Sequence, residues 1–168
     1  QYGEVLASGK RYLVDGIFET EINLSLPEMD FELARYLWPA RFARVTTSWM
    51  SRHLSGGRII DGQLAFVLSE QPDKIRTTKL EGSLPFNQLS YQLHKGMMPA
   101  EELRGQINFA DNMLSGNFEA GEANSIKVEQ AQIRYGPLLN FKGSRELEFK
   151  TLASGDVKDV LEILDHPR

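Results

Sequence analysis

Along residues 18–26 apolar and polar side chains alternate. Phe18, Thr20, Ile22, Leu24 and Leu26 fall on one side, and Glu19, Glu21, Asn23 and Ser25 on the other. A period of two sets every second side chain on the same face of an extended chain, so this run predicts a half-buried β-strand. The pattern recurs over Ile60 to Leu68, Lys79 to Phe86, Leu89 to Leu93, Leu103 to Phe109, Leu114 to Ala120 and Arg145 to Thr151. Turn-rich stretches lie between them: Gln71-Pro72-Asp73, Lys95-Gly96, Ala110-Asp111-Asn112 and Gly121-Glu122-Ala123-Asn124-Ser125. Connections this short join antiparallel neighbours, because parallel strands need long crossovers.

Two segments depart from the alternation. Pro39 in a first turn, then Phe42, Val45, Trp49 and Leu54 at spacings of three and four, predict an amphipathic helix over about residues 39–54, stopped by Gly56-Gly57. Val157, Val160, Leu161 and Leu164 repeat the spacing after a candidate cap at Ser154, with Pro167 closing a short C-terminal helix. Residues 28–37 allow another helical turn or two. The expected fold is mainly β (α+β): a curved antiparallel β-sheet forming a groove, with one packed amphipathic helix and the short C-terminal helix, as a single domain over 1–168.

Curvature is suggested by a repeat of the form apolar, any, Gly, any, apolar. It occurs imperfectly at Val14-Asp15-Gly16-Ile17-Phe18, then at Ile60-Asp61-Gly62-Gln63-Leu64, Leu80-Glu81-Gly82-Ser83-Leu84, Leu103-Arg104-Gly105-Gln106-Ile107 and Leu114-Ser115-Gly116-Asn117-Phe118. In the last four the glycine shares the apolar face. Such a glycine either makes room for the helix around Trp49 or leaves a trough that faces a ligand.

Composition narrows the function classes. A chain of 168 residues with 41% hydrophobic and 25% charged residues is long enough for a core without disulfides or metals. The formal charge of −4, with 19 Lys and Arg scattered along the chain, gives no footprint for nucleic acid. Cysteine is absent, which removes thiolate ligands and Cys nucleophiles. The first residue is Gln1, and a piece of a longer chain is the expectation.

Candidate chemistry is sparse. His53, His94 and His166 lie far apart in sequence with no ligand spacing around them, so no metal or cofactor is expected, and His53 suits the C-terminal end of a helix dipole. Leu54-Ser55-Gly56-Gly57 lacks the first glycine of a nucleophile elbow and is taken as a helix terminus. Glu101-Glu102, and Glu19 with Glu21, are acidic pairs of the kind that solvated strand faces carry. Trp38 and Trp49 suit anchors between helix and sheet.

The run Leu37-Trp38-Pro39-Ala40, followed by Trp49, Leu54, Gly57 and an alternating strand, resembles the AsmA-like domains of proteobacterial envelope proteins. The C-terminal stretch Ser154 to Arg168, with its Leu164-Asp165 and Pro167 ending, is similar to the helix that follows a strand in that family. The resemblance covers roughly residues 10–168. It implies a non-enzymatic segment of a larger periplasmic protein, anchored to the inner membrane outside this stretch. In that family stacked β segments form an apolar groove for phospholipid transport or outer-membrane homeostasis. The implied partners are phospholipid or another acyl-chain ligand and neighbouring β segments of the same protein. The family brings no catalytic residues.

One helix of about 16 residues is only ~24 Å long, too small to cover such a sheet, so part of the apolar face should stay available. The candidate lipid-binding residues are Phe18, Ile22, Leu24, Leu64, Phe66, Leu80, Leu84, Phe86, Leu89, Tyr91, Leu103, Ile107, Phe109, Leu114 and Phe118. A second reading is a scaffold that binds other envelope proteins by β-strand addition, its apolar face closed by its own helices. A third, an enzyme acting on polymers, lacks a constellation of reactive groups.

Overall fold

The computed structural model describes residues 4–37, 44–92, 98–123, 126–139 and 143–158. Among these the fold is mainly β, as the alternation predicts. The elements are β1 (Leu6–Val14), β2 (Ile17–Leu26), β3 (Met29–Asp30), α1 (Phe31–Leu37), α2 (Arg44–His53), β4 (Leu54–Ser55), β5 (Arg58–Ile59) and β6 (Gly62–Gln71). They continue with β7 (Lys74–Tyr91), β8 (Ala100–Ala110), β9 (Met113–Ala123), β10 (Ile126–Gly136) and β11 (Glu146–Ser154). All strands belong to one sheet of 11, whose main path is β1-β2-β6-β7-β8-β9-β10-β11, with β3, β4 and β5 paired beside it.

Every pairing along that path is antiparallel. Two-residue turns make three of the hairpins. Asp15-Gly16 and Asp111-Asn112 have positive φ at both positions, the geometry whose twist matches that of the flanking strands. Pro72-Asp73 joins β6 to β7. The first copy of the glycine repeat is therefore a hairpin turn and not a strand interior.

Differences from the expected strands have local causes. Lys79 to Phe86 and Leu89 onward belong to one strand, β7, because a bulge with Gln88 at φ +56° shifts the buried parity from Leu84 and Phe86 to Leu89 and Tyr91. A bulge in β10 between Val128 and Gln130 moves the inward positions from Ile126 and Val128 to Ala131, Ile133 and Tyr135, which hides that strand's alternation. Strand β1 has no buried face at all and is held by pairing with β2. Ile60 precedes β6, and Gly121 to Ala123, expected in a turn, are paired strand.

The described part of the first expected helix is α2, and Leu54 has already left it for β4. Trp38, Pro39 and Phe42 lie outside the described residues, as do Leu93, Lys95-Gly96 and Asn124-Ser125. Val157 and Lys158 are helical, but the rest of the expected C-terminal helix lies outside them too. Ser154 is the last residue of β11, and it is Asp156 whose carboxylate accepts the Lys158 N–H at 2.9 Å.

Between β2 and β6 the described residues form the short strands β3, β4 and β5 beside the main path and the helices α1 and α2, and they cover the middle of one face. Phe31, Trp49, Met50 and Leu54 from this stretch are buried in the same core as Phe86, Leu89, Tyr91, Leu103 and Ile107. Full burial of each such side chain contributes about 1.5–3 kcal/mol. The sheet curls around this cover. Tyr91 on β7 and Phe149 on β11 have ring centroids 6.4 Å apart, whereas four interstrand spacings in a flat sheet would separate their strands by about 19 Å.

Candidate functional site

Register and parity assemble the inner face row by row. One row runs Ala7, Leu24, Leu64, Gly82, Phe109, Leu114, Tyr135 and Leu147 across the eight strands of the main path. The next contains Leu84, Ile107, Gly116, Ile133 and Phe149, and a third Phe86, Gly105, Phe118, Ala131 and Thr151. Three interior glycines thus stand between two large side chains on neighbouring strands: Gly82 between Leu64 and Phe109, Gly105 between Phe86 and Phe118, Gly116 between Ile107 and Ile133. Large residues flanking a bare position let the inner face shorten, which is what curling requires.

At Gly82 and Gly105 the backbone itself demands glycine. Their φ values are +145° and +156°, and an added Cβ would collide with the carbonyl oxygen of Gln63 and of Asn117, respectively, on the adjacent strand. A side chain there would strike the sheet and not project cleanly into a trough. Gly116 differs, because its Cβ would meet the Phe118 ring at 3.0 Å.

Of the candidate lipid-binding residues, Leu64, Phe66, Leu80, Leu84, Phe86, Leu89, Tyr91, Leu103, Ile107, Phe109, Leu114 and Phe118 are buried in the core. Ile22 and Leu24 are half-buried at its margin. Phe18 is the exception, 46% exposed. Around it lie Leu13, 60% exposed and its partner across β1–β2, and Ile75, 52% exposed and paired with Glu70 of β6. The Arg11 guanidinium sits 4.2 Å above the Phe18 ring and forms a 2.7 Å ion pair with Glu70, which also accepts a bond from Thr20. This corner is an apolar lip carrying one paired cation.

The opposite margin of the same face is β11, where Leu147 is 43% and Phe149 40% exposed. Leu13, Ile75, Leu147 and Phe149 were not among the candidates. Leu147 and Phe149 alternate within the expected strand Arg145 to Thr151 and could have been found there, whereas Leu13 and Ile75 belong to strand segments the alternation does not reveal.

Between the margins an aromatic cluster locks α2 to the sheet. Trp49 stacks on Tyr135 at 5.3 Å, and His53 and Tyr91 lie 5.2 and 6.3 Å from it. The helix end is tied twice to Gln92: its N–H donates to the His53 carbonyl at 2.8 Å, and its carbonyl accepts from His53 Nδ1 at 2.7 Å. His53 therefore carries its proton on Nδ1 and acts as a clasp. The Tyr91 hydroxyl is buried with no hydrogen-bond partner among the described residues, and burial pushes its pKa up to about 12. His94 and His166 lie outside the described residues.

The outer face is polar. A hollow lined by Tyr12, Glu19, Glu21, Val67, Lys79 and Glu81 lies over β2, β6 and β7. There the bond from Lys79 to Glu81, at 2.9 Å, together with that carboxylate's charge, raises the Lys79 pKa. Glu101 and Glu102 are exposed on β8. Among the described residues no three His, Asp or Glu side chains are grouped to hold a metal, and no helix is long and apolar enough to cross a membrane. Comparison with family models, curated proteins and solved structures gives no match.

Proposed function

We propose that this chain is a non-enzymatic, lipid-handling segment of a periplasmic AsmA-like protein, contributing part of an apolar groove for phospholipid transport or outer-membrane homeostasis. The observation that carries the reading is that the inner apolar face outruns its own cover. The described residues between β2 and β6 close the middle, while Leu13, Phe18 and Ile75 at one margin and Leu147 and Phe149 at the other stay exposed. Acyl chains suit such margins, because each buried methylene contributes about 0.8 kcal/mol without directional bonds. The lipid contacts are then Phe18 and its neighbours, and most of the remaining apolar face is ordinary core. The AsmA-like resemblance supplies the periplasmic setting, with the inner-membrane anchor elsewhere in the protein.

The test is native mass spectrometry for co-purifying phospholipid, combined with a photo-crosslinking residue at Phe18, Phe149 or the buried control Ile107. Phospholipid adducts at the two margins and none at Ile107 are expected. A lipid-free protein with no adduct at Phe18 or Phe149 in phospholipid vesicles overturns the reading. The outer edges of β1 and β11, unpaired among the described residues, favour a second reading, a scaffold that recruits envelope proteins by strand addition. In that case strands of a partner protein, and not lipid, would cross-link at those margins.

A further inference from the structure

Among the described residues nothing pairs with the outer edge of β1 or of β11. Each edge offers a row of backbone donors and acceptors that an isolated sheet leaves to water. The main path holds eight strands and every neighbour reverses direction, so β1 and β11 run opposite to each other. If a second copy is placed beside the first with the same face inward, its β1 meets β11 already antiparallel. An odd number of strands would have forced a parallel join.

We propose that copies of this chain associate edge to edge, with β11 of one copy adding to β1 of the next in the register that sets Lys10 opposite Glu148. Side-chain chemistry along the two edges accommodates that register, with Arg11 opposite Leu147 on the inner face. On the outer face it sets Leu6 opposite Leu152, which are 62% and 58% exposed, and brings Tyr12 to Glu146 and Ser8 to Lys150. On the inner face Gly9, a bare spot at the edge, comes under the ring of Phe149, an arrangement that compensates glycine in a strand. Lys10 stands opposite Glu21 of β2 without a close ion pair among the described residues, and Glu148 is met by Lys150 at 3.0 Å and faces Arg134 across β10, so both remain exposed at the edges for a further partner.

Other pairings of the same edges fit less well. Joining β1 to β1 about a two-fold axis, centred on the strand, puts Lys10 against Lys10. Joining β11 to β11 with Glu148 against Lys150 leaves Leu152 opposite Glu146 and both β1 edges open. The β1–β11 contact is heterologous, so it repeats and does not close into a simple dimer. It stands on the edges alone and is independent of lipid binding.

Two experiments on the lipid-free chain test it. The protein has no cysteine, so Leu6→Cys and Leu152→Cys introduce the only thiols. Opposed Cβ atoms in an antiparallel pair are ~4.5–5.5 Å apart, and the mixed variants should form a disulfide-linked dimer under mild oxidation while neither alone does. In sedimentation, the parent should show concentration-dependent growth. Lys10→Glu and Glu148→Lys should each weaken association by roughly two- to tenfold, and the two variants mixed should recover it. Unchanged thermal midpoints would show that these exposed substitutions leave the fold intact. A strictly monomeric parent at high concentration, Leu152→Cys linking to itself in preference to Leu6→Cys, or charge reversals that fail to rescue each other would each overturn the proposal.

Discussion

Gly105→Ala is the most informative single substitution. Gly105 pairs with Phe86 on one side and Phe118 on the other, at φ +156°. An alanine Cβ would run into the Asn117 carbonyl oxygen and come within 3.0 Å of the Phe118 Cα, all of it backbone in the middle of the sheet. Holding an L-residue in such a region costs on the order of 1–3 kcal/mol. Relieving the collision by parting β8 from β9 sacrifices one or two ladder bonds at about 0.5–1.5 kcal/mol each. The expected loss is therefore about 1.5–6 kcal/mol, in protein stripped of lipid. Gly116→Ala is the internal control, since its Cβ meets the edge of the Phe118 ring, which can tilt, and about 1 kcal/mol is expected. Urea unfolding followed by tryptophan fluorescence measures both. Equal effects at the two positions, or a Gly105→Ala variant within 0.5 kcal/mol of the parent (roughly the additivity error of such comparisons), would refute the assignment of Gly105 to sheet curvature. If lipid occupancy fell and stability did not, the glycines would be opening a trough after all.

Trp49→Ala should cost about 3–5 kcal/mol in the same assay, because the ring is buried between α2 and Tyr135, and an unchanged midpoint would place the helix off the sheet. Tyr91→Phe removes a buried hydroxyl that has no partner among the described residues, so at neutral pH it should be neutral or stabilising. The Tyr91 pKa is raised from 10.0 to about 12, so the unfolded chain loses this proton first, and stability present below pH 10 should decline as pH rises toward 12. Urea midpoints across that window should fall more in the parent than in Tyr91→Phe. His53→Ala should cost about 1 kcal/mol through loss of its bond to the Gln92 carbonyl, measured as faster amide exchange at the α2 end.

Alternation made β2, β6, β8 and β9 legible because the stretches Thr20 to Leu26, Gly62 to Leu68, Leu103 to Phe109 and Leu114 to Phe118 each keep one phase. It failed where the backbone breaks phase: the bulge at Gln88 splits β7 into two apparent strands, and the one after Val128 conceals β10. β1 escaped for another reason, since with both faces exposed it has no amphipathic signature and owes its place to backbone pairing. The apolar residues were correctly placed on one face, but periodicity carries no information about what lies above that face. Whether Phe86 or Phe149 is covered depends on where the described residues between β2 and β6 dock, which is a tertiary fact. The glycine repeat similarly announced curvature, while the collision of a Gly105 Cβ with backbone follows only from φ.

Energetics tie the closed middle to the open margins. A sixteen-carbon acyl chain gains about 13 kcal/mol if fully buried, at ~0.8 kcal/mol per methylene. To enter the middle it must displace Phe31, Trp49 and Met50, whose burial together contributes roughly 5–9 kcal/mol on the same scale, and it must undo the His53–Gln92 clasp. Most of the gain is consumed before the ordering of the acyl chain is counted, so the middle stays shut. On the lipid-handling proposal, lying along one margin would cost no such opening, yet only one side of the acyl chain would then leave water, and a single copy would hold it weakly. The margins coincide with the sheet edges, where β1 and β11 would carry the next strands. Adding a neighbouring β segment there brings the Leu13 and Phe18 lip of one unit beside the Leu147 and Phe149 lip of another. The two half-exposed strips would become one two-sided cleft, so on the lipid-handling proposal edge pairing would raise acyl-chain affinity without any change within the core.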